Sequence, residues 1–157
     1  MHKIIGAVLL LISAFLCSLY LISKEKKHVE LLGGFNELIR EIYKQIEMLN
    51  LPVPEILERA DERFLTLCGI REGEAISLEK LIDLTENRLD PKEREIIMSF
   101  ASGLGRCYRD EQLRLCKYYS GELESCLAAR KNDYPKKRKL IITLTVCAAL
   151  GIIILII

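Results

Sequence analysis

The chain has 157 residues, half of them apolar and 29% charged, with a formal net charge of +1. That is one domain's worth of protein, without the basic excess that a phosphate-driven nucleic-acid binder needs. The averages hide an uneven distribution, because the longest apolar stretches stand at the two ends.

The first run, residues 4–22, holds 19 residues without a charge. At about 1.5 Å per residue it spans roughly 28 Å, close to the ~30 Å hydrocarbon core of a bilayer. In lipid it must be a helix, since only a helix satisfies its backbone hydrogen bonds internally. A cleaved secretory signal is the alternative, with Ala14 and the Cys17/Ser18 pair as small residues. The run is longer than an ordinary signal core, and no small-x-small site clearly closes it.

Helical periodicity then takes over, with almost no strand pattern. Leu31, Phe35, Leu38, Ile42, Ile46 and Leu49 recur at steps of three and four, forming one stripe that continues the first run. Gly33-Gly34 predicts a weak point or joint in that helix. Asn50-Leu51-Pro52-Val53-Pro54 reads as a turn, with Pro54 at the first position of a new helix and Glu55 and Glu58 near its positive end. That helix carries Ile56, Leu57, Ala60, Phe64 and Leu67 and stops near Gly69. Residues 75–88 predict one or two shorter helices with Ile76, Leu78, Leu81, Ile82 and Leu84 apolar. Asp90-Pro91, with Glu93 behind it, starts another, whose inner face is Ile96, Ile97, Phe100 and Leu104. Asp110 is placed to cap a last long helix through Leu113, Cys116, Ser120, Leu123 and Leu127. Pro135 should kink or break its continuation.

The last 18 residues, 140–157, form the second uncharged run. A buried core helix of that length would need a larger protein around it. Lys24, Lys26 and Lys27 follow the first run, and Lys136, Lys137, Arg138 and Lys139 precede the second. All seven face the middle segment, against Lys3 outside. The positive-inside rule therefore puts the middle segment in the cytoplasm. Without those flanks, residues 28–134 hold 15 basic against 21 acidic residues. The expected organisation is a membrane helix over 1–23, a soluble bundle over 24–139 and a second membrane helix over 140–157. The fold class is all-α, an antiparallel bundle of about five to six helices between two terminal transmembrane helices.

Chemistry is scarce. The only histidines are His2 and His28, and neither a Ser-His-Asp nor a Cys-His pair forms without His28. Gly33-Gly34 and Gly103-x-Gly105 lack the surroundings of a phosphate loop. Cys107, Cys116 and Cys126 have the spacing C-x8-C-x9-C, which fits no zinc pattern, so free and largely buried thiols are expected. The acids Glu55, Glu58 and Glu62 read as a solvated face, and Tyr118-Tyr119 as packing plus surface. No catalytic residue, metal ligand or cofactor is expected, and the chain reads as a non-enzyme.

The order of features resembles a known family. Lys3-Ile4-Ile5-Gly6-Ala7 stands at the start and Glu41-Ile42-Tyr43 in the first soluble helix. Leu51-Pro52-Val53-Pro54-Glu55-Ile56-Leu57 is similar to a "PLPEAL" turn. Leu89-Asp90-Pro91-Lys92-Glu93-Arg94-Glu95-Ile96-Ile97 is similar to "LxxEDREIL", and Leu104-Gly105-Arg106 with Arg109-Asp110-Glu111-Gln112 to "LGxSDxxxQ". Together with the two terminal runs these resemble the stage III sporulation protein AB family of endospore-forming bacteria. Such proteins are similar to the cytoplasmic domains of the F-type platform proteins of type II secretion and type IV pilus systems, which are antiparallel six-helix bundles.

The resemblance implies a platform in a channel-like complex between mother cell and forespore, with other sporulation channel proteins and a secretion-type ATPase as partners. It implies an interface at Glu41, Glu55, Glu58, Arg106, Arg109, Asp110 and Gln112. The alternative is a membrane-tethered sensor or regulator whose bundle binds a small ligand or a partner protein.

Overall fold

The computed structural model describes residues 2–48, 51–71 and 73–156, with side chains left out at 2–5, 7, 8, 10, 11, 153, 155 and 156. All regular structure among them is helical. The order is α1 (His2–Met48), α2 (Val53–Glu58), α3 (Glu62–Cys68), α4 (Leu78–Thr85), a 3-10 turn (Glu86–Arg88), α5 (Pro91–Gly103) and α6 (Arg109–Ile156). The chain divides into two compact units. One is His28–Ala129; the other joins Met1–Lys27 to Arg130–Ile157.

In the His28–Ala129 unit the stripe read from sequence is the core. Leu31, Phe35, Leu38, Ile42 and Ile46 of α1 are buried, and Leu32 and Ile39 join them; Leu49 lies outside the described residues. Cys116, Leu123 and Leu127 of α6 are buried against the same core, and Leu113 packs at its edge. The two helices run antiparallel, because Asn36 meets Ser120 while Ile46, further along α1, meets Arg109, earlier on α6. The Ser120 hydroxyl donates to Asn36 Oδ1 at 2.9 Å, both residues buried.

The expected second helix is two. Six residues after Val53 the chain turns through Arg59 and Ala60, and Asp61 caps α3 by accepting the Arg63 N–H at 3.3 Å. The break has a sequence cause, since Asp at a cap position competes with helix continuation. It leaves Glu58 at the end of α2, away from the positive N-terminus, and Pro54 second rather than first in that helix. Gly69 ends α3 in the left-handed region, φ 99°, with its N–H on Leu65 O and the Ile70 N–H on the same carbonyl. The Arg88 guanidinium takes the Leu67 carbonyl at 2.5 Å.

Ser77 caps α4 through the Lys80 N–H, and Leu78, Leu81 and Ile82 turn inward. Leu84 faces solvent, and Thr85 is buried beside it because its hydroxyl donates to Leu81 O at 2.7 Å. α5 opens with the expected capping box, in which Glu93 Oε2 accepts the Asp90 N–H at 3.0 Å. α6 starts one residue before Asp110, which therefore sits in the first turn and not at the cap. The Tyr108 carbonyl takes the Glu111 and Gln112 N–H groups.

The second unit contains the ends of α1 and α6, where Lys137 Nζ lies 3.4 Å from Glu25 Oε2. The break expected at Pro135 does not occur; helix runs through it. The residues around it, from Lys131 to Asp133 and on to Leu140, are mostly exposed, so water can take the carbonyl that Pro135 leaves unbonded. Among the described residues no helix is long and apolar enough to cross a membrane. Several side chains of the two apolar runs lie outside those residues. Where they are described, large apolar residues face outward: Leu9, Ile12, Phe15, Leu16 and Tyr20 on α1, and Leu140, Leu144, Leu150 and Ile154 on α6.

Gly33-Gly34 is no joint, since α1 passes through it unbroken. The two glycines differ. A Cβ on Gly33 would meet nothing within 4 Å, whereas one on Gly34 would run into the Phe64 ring, 2.8 Å from Cε2. Phe64 packs edge-on against Phe35 at 5.1 Å between ring centroids, so it has no easy retreat. Gly33→Ala should therefore stabilise the protein by about 0.5–1 kcal/mol through helix entropy. Gly34→Ala should destabilise it by about 1–3 kcal/mol through overpacking. Chemical denaturation of both variants checks the opposite signs. The excised segment 28–134 should also be soluble and predominantly helical by circular dichroism, because its apolar stripes are satisfied internally.

Candidate partner interface

The two stretches that carry the interface expectation meet at one end of the bundle. Leu51, Pro52, Val53 and Pro54 share a surface depression of about 500 Å³ with Gly105, Arg109, Gln112 and Ile46. Proline at 52 and 54 fixes the backbone on one side, and the start of α6 supplies the other.

The seven candidate side chains separate by what they hold. Arg109 reaches across to the last turn of α1, where Nε donates to Ile46 O at 3.2 Å and Nη2 to Glu47 O at 2.6 Å. It satisfies carbonyls that end without helical partners and places a cation at the negative end of α1. Gln112 Nε2 donates to the Cys107 carbonyl at 2.7 Å and closes the loop before α6. Glu41 accepts from Gln45 at 2.6 Å and lies 3.7 Å from Lys44, and Glu41 and Lys44 line a different depression with Arg59 and Phe64. Glu55, Glu58, Arg106 and Asp110 are exposed and make no side-chain hydrogen bond or ion pair among the described residues. These four are free to meet a partner; Arg109 and Gln112 hold the surface in shape.

The seven flanking basic residues, Lys24, Lys26, Lys27, Lys136, Lys137, Arg138 and Lys139, are all exposed and all belong to the helix-pair unit. Lys136 pairs with Asp133 at 3.2 Å.

His28, Asp90 and Glu93 are the group among the described residues that could hold a metal ion, with ligand atoms within 4.8 Å of one another. Their atoms are already committed. Glu93, 3% exposed, takes the Asp90 N–H into the capping box and meets His28 Nε2 at 2.7 Å. The cluster ties α1 to the start of α5. Sequence reasoning left His28 without a role. The available signal was Glu93 itself, a carboxylate one turn from Ile96 and Ile97 on an apolar face, which requires a buried partner.

The six cysteines are free thiols. Cys68 and Cys116 are buried, and burial pushes their thiols up to about 12 and about 11. Cys107 and Cys126 are half-buried, and Cys17 and Cys147 exposed. Tyr119 packs edge-on against Phe100 while Tyr118 stays exposed.

If Arg109 is a cap, Arg109→Ala should cost about 1.5 kcal/mol of stability, the lower end of the range for hydrogen bonds with a charged partner because the side chain is exposed. Arg109→Lys should recover only part of it, because a point charge cannot reproduce the two-carbonyl fork. Thermal melts of the two variants against the parent chain measure both effects.

A family model described as stage III sporulation protein AB matches residues 74–157. The match takes in α4, α5 and α6, including Arg106, Arg109, Asp110, Gln112 and the basic cluster at 136–139, and leaves Glu41, Glu55 and Glu58 outside it. No curated protein and no solved structure matches the chain. The match extends over more than half of the sequence, and the chain belongs to the stage III sporulation protein AB family.

Proposed function

We propose that this sporulation-associated protein is a membrane-anchored platform, part of a secretion-like channel between mother cell and forespore. In this role the bundle receives a secretion-type ATPase and other channel components. The two apolar runs hold it in the membrane. It carries no catalytic step of its own, and its soluble part stands in the mother-cell cytoplasm.

The observation that carries the proposal is the outward face of the helix-pair unit. Its large apolar side chains are exposed, and the exposed basic residues flank them on the bundle side of both runs. Water would not favour such a face; hydrocarbon would, at about 25 cal/mol per Å² removed from water. The lysines and arginines suit an anionic lipid surface. In the bundle the complement is a set of exposed, unpaired charges, Glu55, Glu58, Arg106 and Asp110, and such charges steer association with a charged partner.

A sensor would need a ligand site. A depression of about 530 Å³ between α2, α4 and α5 has the size of one. Its rim is exposed and charged, which suits a macromolecular partner better than an enclosed small ligand.

Topology is tested by labelling. Cys68 cannot report, being 2% exposed with its thiol held up to about 12. Tyr108, 89% exposed, is the better position. In a chain lacking Cys17, Cys107, Cys126 and Cys147, Tyr108→Cys should be shielded from an impermeant thiol reagent in intact mother cells and labelled once they are permeabilised. Labelling in intact cells would sink the cytoplasmic assignment.

The interface is tested by charge. Glu55→Lys with Glu58→Lys should cost no more than about 1 kcal/mol, the helix-dipole contribution of Glu55 in the first turn of α2, and leave the fold intact. Sporulation efficiency and recovery of the assembled complex should fall. A well-folded variant that sporulates normally removes these two residues from the interface.

A further inference from the structure

The depression between α2, α4 and α5 has a mixed character. Val53 and Leu57 of α2, Ile82 of α4, Met98 of α5 and Leu104 give it apolar walls. Leu57 and Ile82 are buried, but Met98 is 47% exposed, an adaptable side chain open to water. Glu79 and Asp83, one helical turn apart on α4, line the same depression, as does Arg106 from the loop after α5.

These charges are unspent. On the same part of the chain Lys80 is taken by Glu74 at 2.8 Å, and Arg94 by Glu86. Glu79, Asp83 and Arg106 make no side-chain hydrogen bond or ion pair among the described residues. Apolar walls with two like charges at helical spacing call for an occupant that supplies both. An anionic lipid surface is a poor fit, since it would meet two carboxylates. A small apolar ligand would leave all three charges unanswered.

We propose that this groove docks one amphipathic helix of a partner protein. Apolar side chains at i, i+3 or i+4, and i+7 of that helix enter beside Met98 and Leu57. Lysines or arginines one turn apart on its flank meet Glu79 and Asp83, and an acidic residue meets Arg106. The groove is continuous with the interface discussed above through Val53, Pro54 and Gly105, which line both depressions. The inference rests on the platform reading and names the element by which a partner attaches.

The test replaces Met98 with the photocrosslinker p-benzoylphenylalanine in the full chain, in sporulating cells, and maps the crosslinked peptide by mass spectrometry. The mapped peptide should be a helical segment of another protein, with apolar residues at that spacing and basic residues on one flank. Glu79→Lys with Asp83→Lys should cut the crosslink about tenfold, or about 1.4 kcal/mol. Glu79→Gln with Asp83→Asn should cut it less, and reversing the facing basic residues of the mapped segment should restore it to the lysine variant. A crosslink to lipid or to a second copy of this chain, no mapped peptide, or a yield indifferent to these charges would overturn the groove assignment. Co-purification of the full chain with a secretion-type ATPase from the same cells separates the two failures. If it persists while the Met98 crosslink fails, the groove is wrong and the platform role stands. If it is lost as well, both fall.

Discussion

Everything in the bundle is built on the antiparallel pairing of α1 and α6. Two stripes of large apolar residues would pack in more than one register, because dispersion and area burial are non-directional. The hydrogen bond from Ser120 to Asn36 Oδ1 is directional. Slide either helix by a turn and a buried amide and hydroxyl lose each other, at a cost of about 1–3 kcal/mol for each unsatisfied group. Arg109, holding the Ile46 and Glu47 carbonyls, fixes the end of the same pair. Once the register is set, Gly34 offers the gap that Phe64 fills and His28 finds Glu93, so the short helices have defined places to dock.

The same pairing gives the proposed role its physical form. α1 and α6 each hold residues of both compact units, so the chain enters and leaves the bundle as helix. The short helices α2, α4 and α5 do not share that duty. They line the groove and carry the unpaired acids Glu55, Glu58, Glu79 and Asp83, while Asp110 belongs to α6.

Much of this was legible in the residues. The three- and four-residue recurrence of Leu31, Phe35, Leu38, Ile42 and Ile46 gave the core face of α1, and Asp90-Pro91 with Glu93 gave the start of α5. What periodicity could not give was decided by tertiary context. Ala60 and Asp61 interrupt a pattern that continues across them, because the apolar positions of α2 and α3 happen to keep phase. The family resemblance puts Arg109 at the partner interface, and nothing local shows its capping role because the carbonyls it holds are 62 and 63 residues away. Asn36 and Ser120 are small polar residues inside apolar stripes, 84 residues apart, and neither announces the other. The candidate interface divided in the same way. Arg109 holds carbonyls on a distant segment, which no local rule announces, whereas Gln112 holds the Cys107 carbonyl five residues back and closes its own loop.

The pairing of α1 with α6 is the claim on which the rest depends, and a double-mutant cycle at its buried polar contact tests it most directly. Asn36→Leu and Ser120→Ala are measured singly and together by denaturant unfolding. Each single change should destabilise by about 1–3 kcal/mol, since it strands one buried polar group. The double variant should lose clearly less than their sum, with a coupling on the order of 1 kcal/mol or more. Strictly additive losses, or singles without effect, would mean that this hydrogen bond does not set the register and that the bundle is held together in another way.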